Sequence, residues 1–241
     1  LLLLTTTAAA IAEPFTLVEN LTFGYWVNEV AWSHDDPAKL AVATNKVNGG
    51  KFEAYVYDAA DWTTPIANLT EHTAIVNSVA WSHDSSQLAT ASDDESVIVY
   101  DTTTGNIVRS LKNHTGDVMS VAWSHDSKQL ATGSKDNSVI VYETNNWNII
   151  KRLTNHTAAV RSVAWSHDSS QLATGSEDDT VIVYETKTWS IVQTLKGHTD
   201  RVISVAWSHD SSQLATGSDD NSVNVYETKT WSIVQTLKGH T

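Results

Sequence analysis

Five copies of Ala-Trp-Ser-His-Asp punctuate this chain, with the tryptophans at Trp32, Trp81, Trp123, Trp165 and Trp207. The spacing is 49 residues once and 42 residues three times. A fixed period of this length constrains the fold more than composition does. Each unit is too small to bury a core alone, so neighbouring units must stack and share one. Five periods cover 210 of the 241 residues. The remaining 31 lie mostly before the first unit, and seven of them are inserted within it. Residues 184–199 and 226–241 are identical, which points to internal duplication.

Within one unit the pattern predicts four short strands. In the fourth, Val160 to Trp165 forms strand a, and Ser166-His167-Asp168-Ser169-Ser170 is a polar turn. Gln171 to Ser176 is strand b, and Glu177-Asp178-Asp179 is a tight acidic turn. Thr180 to Tyr184, β-branched and aromatic, is strand c; Glu185 to Thr188 turns; Trp189 to Leu195 is strand d. Short strands with turns at this spacing predict an all-β array, and no stretch carries a helical period.

Gly197-His198, Ser208-His209-Asp210, Leu214-Ala215-Thr216-Gly217-Ser218, Asp220 and Tyr226-Glu227 together resemble one WD40 repeat. The resemblance to the WD40-repeat β-propeller family covers residues 26–241 and recurs at a typical period for that family. It implies a WD40-type β-propeller, or an open blade array, of five four-stranded blades. Preceding these are a segment 1–12 and a further N-terminal strand in 13–25. One departure is systematic: Tyr57-Asp58, Tyr100-Asp101, Tyr142-Glu143, Tyr184-Glu185 and Tyr226-Glu227 stand where the family has Trp-Asp. Tyrosine keeps the aromatic bulk and a polar tip. The family's hydrogen-bonded tetrad would then comprise His72, Asp94 and Tyr100 with Thr90 or Ser92, and His156, Asp178 and Tyr184 with Thr174 or Ser176. The other two are built on His114, Asp136 and Tyr142, and on His198, Asp220 and Tyr226. The first repeat departs furthest, with Phe23-Gly24 in place of Gly-His and no Asp in its b–c turn, Asn45 to Lys51. Terminal units of arrays are often atypical because they cap the stack.

The chemistry-bearing residues argue against catalysis. Ser-His-Asp recurs five times, as in Ser82-His83-Asp84, but consecutive turn residues point apart and a triad needs converging side chains. All ten histidines fall at two repeat positions: His34, His83, His125, His167 and His209 in the a–b turns, and His72, His114, His156, His198 and His240 before strand a. None remains for a dedicated base, and a ring of equivalent positions is expected to be too wide for one metal ion. Acidic pairs such as Asp93-Asp94 supply too few oxygens for calcium. With no Cys, disulfides, thiolate zinc sites and Cys nucleophiles are excluded together. No catalytic residue, metal or cofactor is therefore assigned.

A formal charge of −13 disfavours nucleic acid as a partner. Four Asn-x-Thr sequons, at Asn20, Asn68, Asn113 and Asn155, are candidate N-glycosylation sites near the ends of strands d. Gly197 and Gly239 occupy that place in the last repeats, which suggests a left-handed backbone position that Asn tolerates. Leu1 to Ala12 is apolar and uncharged, ends in a small-x-small site, and reads as the end of a signal peptide or as a retained apolar strand. It is too short to span a bilayer. Phe15 to Thr22 resembles a strand d and would be a twenty-first strand, spare beside five complete blades, unless the chain is part of a longer one. Unpaired edges accept strands from other chains. The leading expectation is a secreted, non-enzymatic scaffold joining other proteins, copies of itself included, head to tail through that strand. The alternative is a cytoplasmic adaptor binding proteins on the propeller's top face.

Overall fold

The computed structural model describes residues 25–35, 37–48 and 51–239. Alternating sequence within each repeat folds into one four-stranded antiparallel sheet, giving five blades. Blade 1 is β1 (Val27–Trp32), β2 (Lys39–Asn48), β3 (Lys51–Asp58) and β4 (Ala67–His72). Blade 2 is β5 (Val76–Trp81), β6 (Gln87–Ser92), β7 (Val97–Asp101) and β8 (Ile107–Leu111). Blade 3 is β9 (Val118–Trp123), β10 (Gln129–Ser134), β11 (Val139–Glu143) and β12 (Ile149–Leu153). Blade 4 is β13 (Val160–Trp165), β14 (Gln171–Ser176), β15 (Val181–Glu185) and β16 (Ile191–Leu195). Blade 5 is β17 (Val202–Trp207), β18 (Gln213–Ser218), β19 (Ser222–Glu227) and β20 (Ile233–Lys238). The segments 1–12 and 13–24, with Asn20 and the additional strand, lie outside the described residues, as does His240.

Two strand boundaries differ from the sequence expectation. Thr180 belongs to the b–c turn, because its amide and hydroxyl both donate to Asp178 Oδ1, at 3.1 and 2.6 Å. Trp189 lies in the c–d turn at φ 58°, its amide donating to the Glu185 carbonyl at 2.8 Å. Gly105 holds the same turn position in blade 2 at φ 71°. A tryptophan with positive φ is strained by its Cβ. It is held there by packing edge-on against the strand-a tryptophan of its own blade: Trp123–Trp147, Trp165–Trp189 and Trp207–Trp231 have ring centroids 6.0 to 6.2 Å apart.

Each core is shared between blades. Trp165, Leu172, Ile182 and Tyr184 of blade 4 pack in one cluster with Ala131, Val139, Val141 and Leu153 of blade 3. The strand pattern explains this sharing, since strands b and c are buried on both faces and so must be covered on both sides. Two hydrogen bonds then repeat at the joints. The strand-a indole donates to an alanine carbonyl of the preceding blade, Trp81 to Ala31, Trp123 to Ala80, Trp165 to Ala122 and Trp207 to Ala164, each at 3.0 Å. The amides of Val121, Val163 and Val205 donate to Ser78, Ser120 and Ser162 Oγ at 3.1 to 3.2 Å. At the first joint the Val79 amide donates instead to Glu29 Oε2, at 2.9 Å.

The array is open. Trp32, the blade 1 equivalent of these joint tryptophans, reaches no preceding blade among the described residues; it stacks edge-on against Trp62 and is 36% exposed. At the other end Gly217 faces free space. A Cβ on Gly133 or Gly175 would press within 2.8 to 3.1 Å of two valines of the next blade, whereas on Gly217 it would meet only Ser204 Cβ, at 3.8 Å.

Candidate functional site

The blades place one His, one Thr and one Asp together in each of repeats two to five. His72 Nδ1 lies 2.9 Å from Asp94 Oδ2, and its Nε2 lies 2.7 Å from Thr90 Oγ1. His114 with Asp136 and Thr132, His156 with Asp178 and Thr174, and His198 with Asp220 and Thr216 repeat the arrangement within 2.9 Å. Between the two hydroxyls that the sequence left open, the histidine takes the threonine. The serine bonds the turn instead, as when Ser92 Oγ donates to the Ala74 carbonyl. The histidines are buried, 1 to 7% exposed, so each needs both partners satisfied. Burial by itself would raise the Asp94 and Asp136 carboxyls. Hydrogen bonds from the histidine and from Ser96 or Ser138, with the histidine's charge, outweigh it and hold both well below the ordinary 3.8.

The tyrosine hydroxyls border this network at its threonine: burial pushes Tyr100, Tyr142, Tyr184 and Tyr226 upward, and Thr90, Thr132, Thr174 and Thr216 act against it. Tyr142 and Tyr184 donate to Asn113 Oδ1 and Asn155 Oδ1, at 3.3 and 3.2 Å. Tyr100 and Tyr226 are buried with their hydroxyls unpartnered. This replaces the backbone explanation for the sequon positions. Neither asparagine has a positive φ, and Gly197, the equivalent of Asn113, has none either. Asparagine is present for its side-chain carbonyl. A bulkier residue at 197 is opposed by Tyr226, whose hydroxyl fills the space that a Cβ would take. Asn68 does not share the position; it lies within β4, paired with Tyr55. Asn68, Asn113 and Asn155 are all exposed. Asn113→Ala is expected to cost about 1 kcal/mol by orphaning the Tyr142 hydroxyl. Urea denaturation of unglycosylated protein measures it, and an unchanged midpoint would refute the assignment.

The Ser-His-Asp turns hold no triad. Ser82 Oγ donates to Asp84 Oδ1 at 2.6 Å, and Asp84 also accepts from the Ser86 amide and hydroxyl, so serine and aspartate are bonded to each other. The histidine side chain is directed elsewhere. Contrary to the expectation of a wide, dispersed ring, the five turn histidines stack in a continuous ladder. Ring centroids are 4.6 Å apart for His34–His83, 3.7 Å for His83–His125, 3.7 Å for His125–His167 and 3.9 Å for His167–His209. They line one channel of about 640 Å³ with the strand-a tryptophans of all five blades and with Ser120, Ser162 and Ser204 of blades 3 to 5. The sequence signal was a histidine at one turn position in every repeat; the contact depends on how sharply the array curves.

Blade 1 lacks the His–Asp pair and carries a different polar cluster, which sequence reasoning missed. Glu53 is 2% exposed, accepts a hydrogen bond from the Tyr55 hydroxyl, and pairs with Lys46 Nζ at 3.1 Å. Lys46 also sits over the Tyr25 and Tyr55 rings, 5.4 and 5.1 Å from their centroids. A lysine, an acid and a tyrosine within ten residues of one hairpin were the available signal. The buried charge is compensated within the blade, as its burial requires.

Glu29 faces the channel and is open to solvent there, yet desolvation by the surrounding blades pushes its carboxyl upward, against hydrogen bonds from Ser78 and Val79. Among the described residues no three His, Asp or Glu side chains are grouped to hold a metal ion. No helix among them is long and apolar enough to cross a membrane.

The geometry therefore offers joints, edges and a channel. Comparison with protein families agrees with it: residues 77–239, more than half the chain, match the family model described as the WDR19 first beta-propeller. Propeller domains of this kind mediate protein interactions. The repeated four-stranded blades and the matched span together place this chain in the WDR19 first beta-propeller family.

Proposed function

We propose that the chain is a non-enzymatic protein-interaction scaffold, secreted and N-glycosylated, whose copies join head to tail into fibres or larger oligomers. The observation that carries this reading is the pair of unmatched end blades. Blade 5 presents the Ala206 carbonyl, Ser204 Oγ and the open face over Gly217; blade 1 presents Trp32, the Val30 amide and the exposed Val27. These are the two halves of the joint that already links the blades internally. Outer strands add a second class of surface. Each of β8, β12, β16 and β20 exposes two consecutive aliphatics, as Ile149-Ile150 in β12, on a sheet edge able to accept a strand. Heterologous contacts of either kind close into rings or continue as filaments, according to the rotation per copy.

The absence of catalysis in this reading rests on the histidine commitments above. Secretion rests on the apolar start of the sequence and on three exposed sequon asparagines. Light scattering and electron microscopy over a concentration series test assembly. Particles larger than one chain are expected to grow with concentration. They should also grow with added salt, which screens the repulsion between copies of charge −13. Trp32→Asp should abolish growth if the end faces meet. Single arrays at every concentration would overturn assembly. Unmodified sequon peptides in the intact native protein would overturn glycosylation and favour an intracellular adaptor.

A further inference from the structure

The ladder histidines differ from the tetrad histidines in one respect. His72, His114, His156 and His198 each have a carboxylate oxygen at 2.8 to 2.9 Å. The ladder imidazoles have one another. Four of the five are also fixed in place by their own backbone, and the bond crosses a blade joint. The His34 amide donates to Ser85 Oγ at 2.7 Å, His83 to Ser127 at 2.9 Å, His125 to Ser169 at 2.9 Å and His167 to Ser211 at 3.0 Å. The rings cannot separate without loosening the joints that carry them.

Neutral imidazoles pack at these distances at little cost. Two adjacent imidazolium ions at about 4 Å, in a channel wall of lower dielectric than water, repel strongly. Burial lowers the pKa of His34, His125 and His167 below 6.5, and neighbouring ladder histidines lower each further. The carboxylates that face these rings do not cancel this. Asp35 and Asp168 pull His34 and His167 back upward, but as the smallest contribution in each case. Asp84, Asp126, Asp168 and Asp210 accept hydrogen bonds from the hydroxyls and amides of their own turns, and Asp35 is paired with Lys39. Lys128 adds a positive charge beside Asp126. Glu29, the acid of the described channel lining, has its carboxyl engaged by the Val79 amide.

We propose that the histidine ladder is a proton-operated latch on the channel: neutral, it holds the five turns together; protonated, it drives neighbouring turns apart and loosens every blade joint at one end. For a group whose folded-state pKa lies below its unfolded value, the unfolded or opened state binds more protons as pH falls. The joints are therefore tight above about pH 6.5 and weaken as pH falls below it. This does not depend on the assembly reading, and it is tested on the full chain at concentrations where single arrays are present.

Long-range nitrogen–proton NMR of the imidazoles should show His34, His125 and His167 protonating below the ordinary range. Amide exchange at Val121, Val163 and Val205, corrected for the intrinsic pH effect, should accelerate roughly fivefold or more between pH 7.5 and 5.5. In H83Q/H125Q/H167Q, which keeps the backbone anchors, that acceleration should vanish; H125Q, at the central rung, should at least halve it and serves if the triple variant does not fold. Independent titration of His34, His125 and His167 in the ordinary range would overturn the latch. So would equal acid sensitivity of exchange in the variants.

Discussion

Trp165→Ala should destabilise the joint between blades 3 and 4 by about 3–5 kcal/mol. The indole is 9% exposed, fills a core drawn from both blades, and donates to the Ala122 carbonyl at 3.0 Å. Its removal leaves a cavity and an orphaned carbonyl together. Trp32→Ala deletes the same side chain from the same repeat position, but with 36% exposure and no carbonyl of a preceding blade to lose. That substitution should cost less than about 1 kcal/mol. Because an array of stacked units can unfold in parts, amide exchange resolved by blade is the measurement. Trp165→Ala should raise exchange in β10 to β15, on both sides of its joint, whereas Trp32→Ala should affect blade 1 alone. Equal losses at the two positions would show that tryptophan stabilises its own blade rather than the joint.

Asp136→Ala should be comparably damaging, at about 3–5 kcal/mol, because it strips a buried histidine of its charged partner. Asp136 accepts from His114 Nδ1 at 2.8 Å, from the Thr115 amide at 3.1 Å, and from the amide and hydroxyl of Ser138 at 2.9 and 2.6 Å. One carboxylate thus ties together the approach to β9, the b–c turn and the start of β11. Its depressed pKa also fixes where acid acts. A carboxyl whose folded pKa lies below its unfolded value contributes stability that is complete above the unfolded value and is lost as pH falls towards the folded one. The tetrad contribution should therefore survive to about pH 4 and disappear below it, with Asp94, Asp136 and Asp220 all titrating low. Thermal denaturation from pH 7 to 2 should show less acid loss in Asp136→Ala than in the parent, since one titrating group is gone. Parallel curves would show that the aspartate carries no linkage.

Much of the blade was legible from alternation and turns. Val160–Trp165 and Gln171–Ser176 fall where the pattern put them, because period-two hydrophobicity ends at a polar turn on both sides. Trp189 was misread as strand because aromatic residues favour strands. Its positive φ is imposed by the turn and stabilised by Trp165, which sequence spacing alone does not reveal. The role of Asn113 was misassigned for a related reason. Gly at the equivalent position suggested a backbone requirement, whereas the selecting contact is the Tyr142 hydroxyl, 29 residues away. The ladder was out of reach of any reading of one repeat. Whether His125 meets His83 and His167 depends on the angle between blades, which is set by packing at the joint. The threonine of the tetrad was narrowed to two candidates by sequence and settled by strand register, which pairs Thr174 with Val163 on one side and Ile182 on the other.

The joints have a consequence for how such a chain can change length. Blades 2 to 5 present the same alanine carbonyl and strand-a serine on one side, and the same tryptophan indole and valine amide on the other. A 42-residue unit is therefore an interchangeable part. Excising residues 158–199 would join blade 3 to blade 5 with donors facing acceptors as before, and inserting a copy would do the same. Identical stretches such as 184–199 and 226–241 favour such exchange, and joint donors still face joint acceptors at every register-preserving cut. Variation in this fold is thereby quantised: what changes is the number of rungs around the channel, and with it the channel's width, while the chemistry of each contact stays the same.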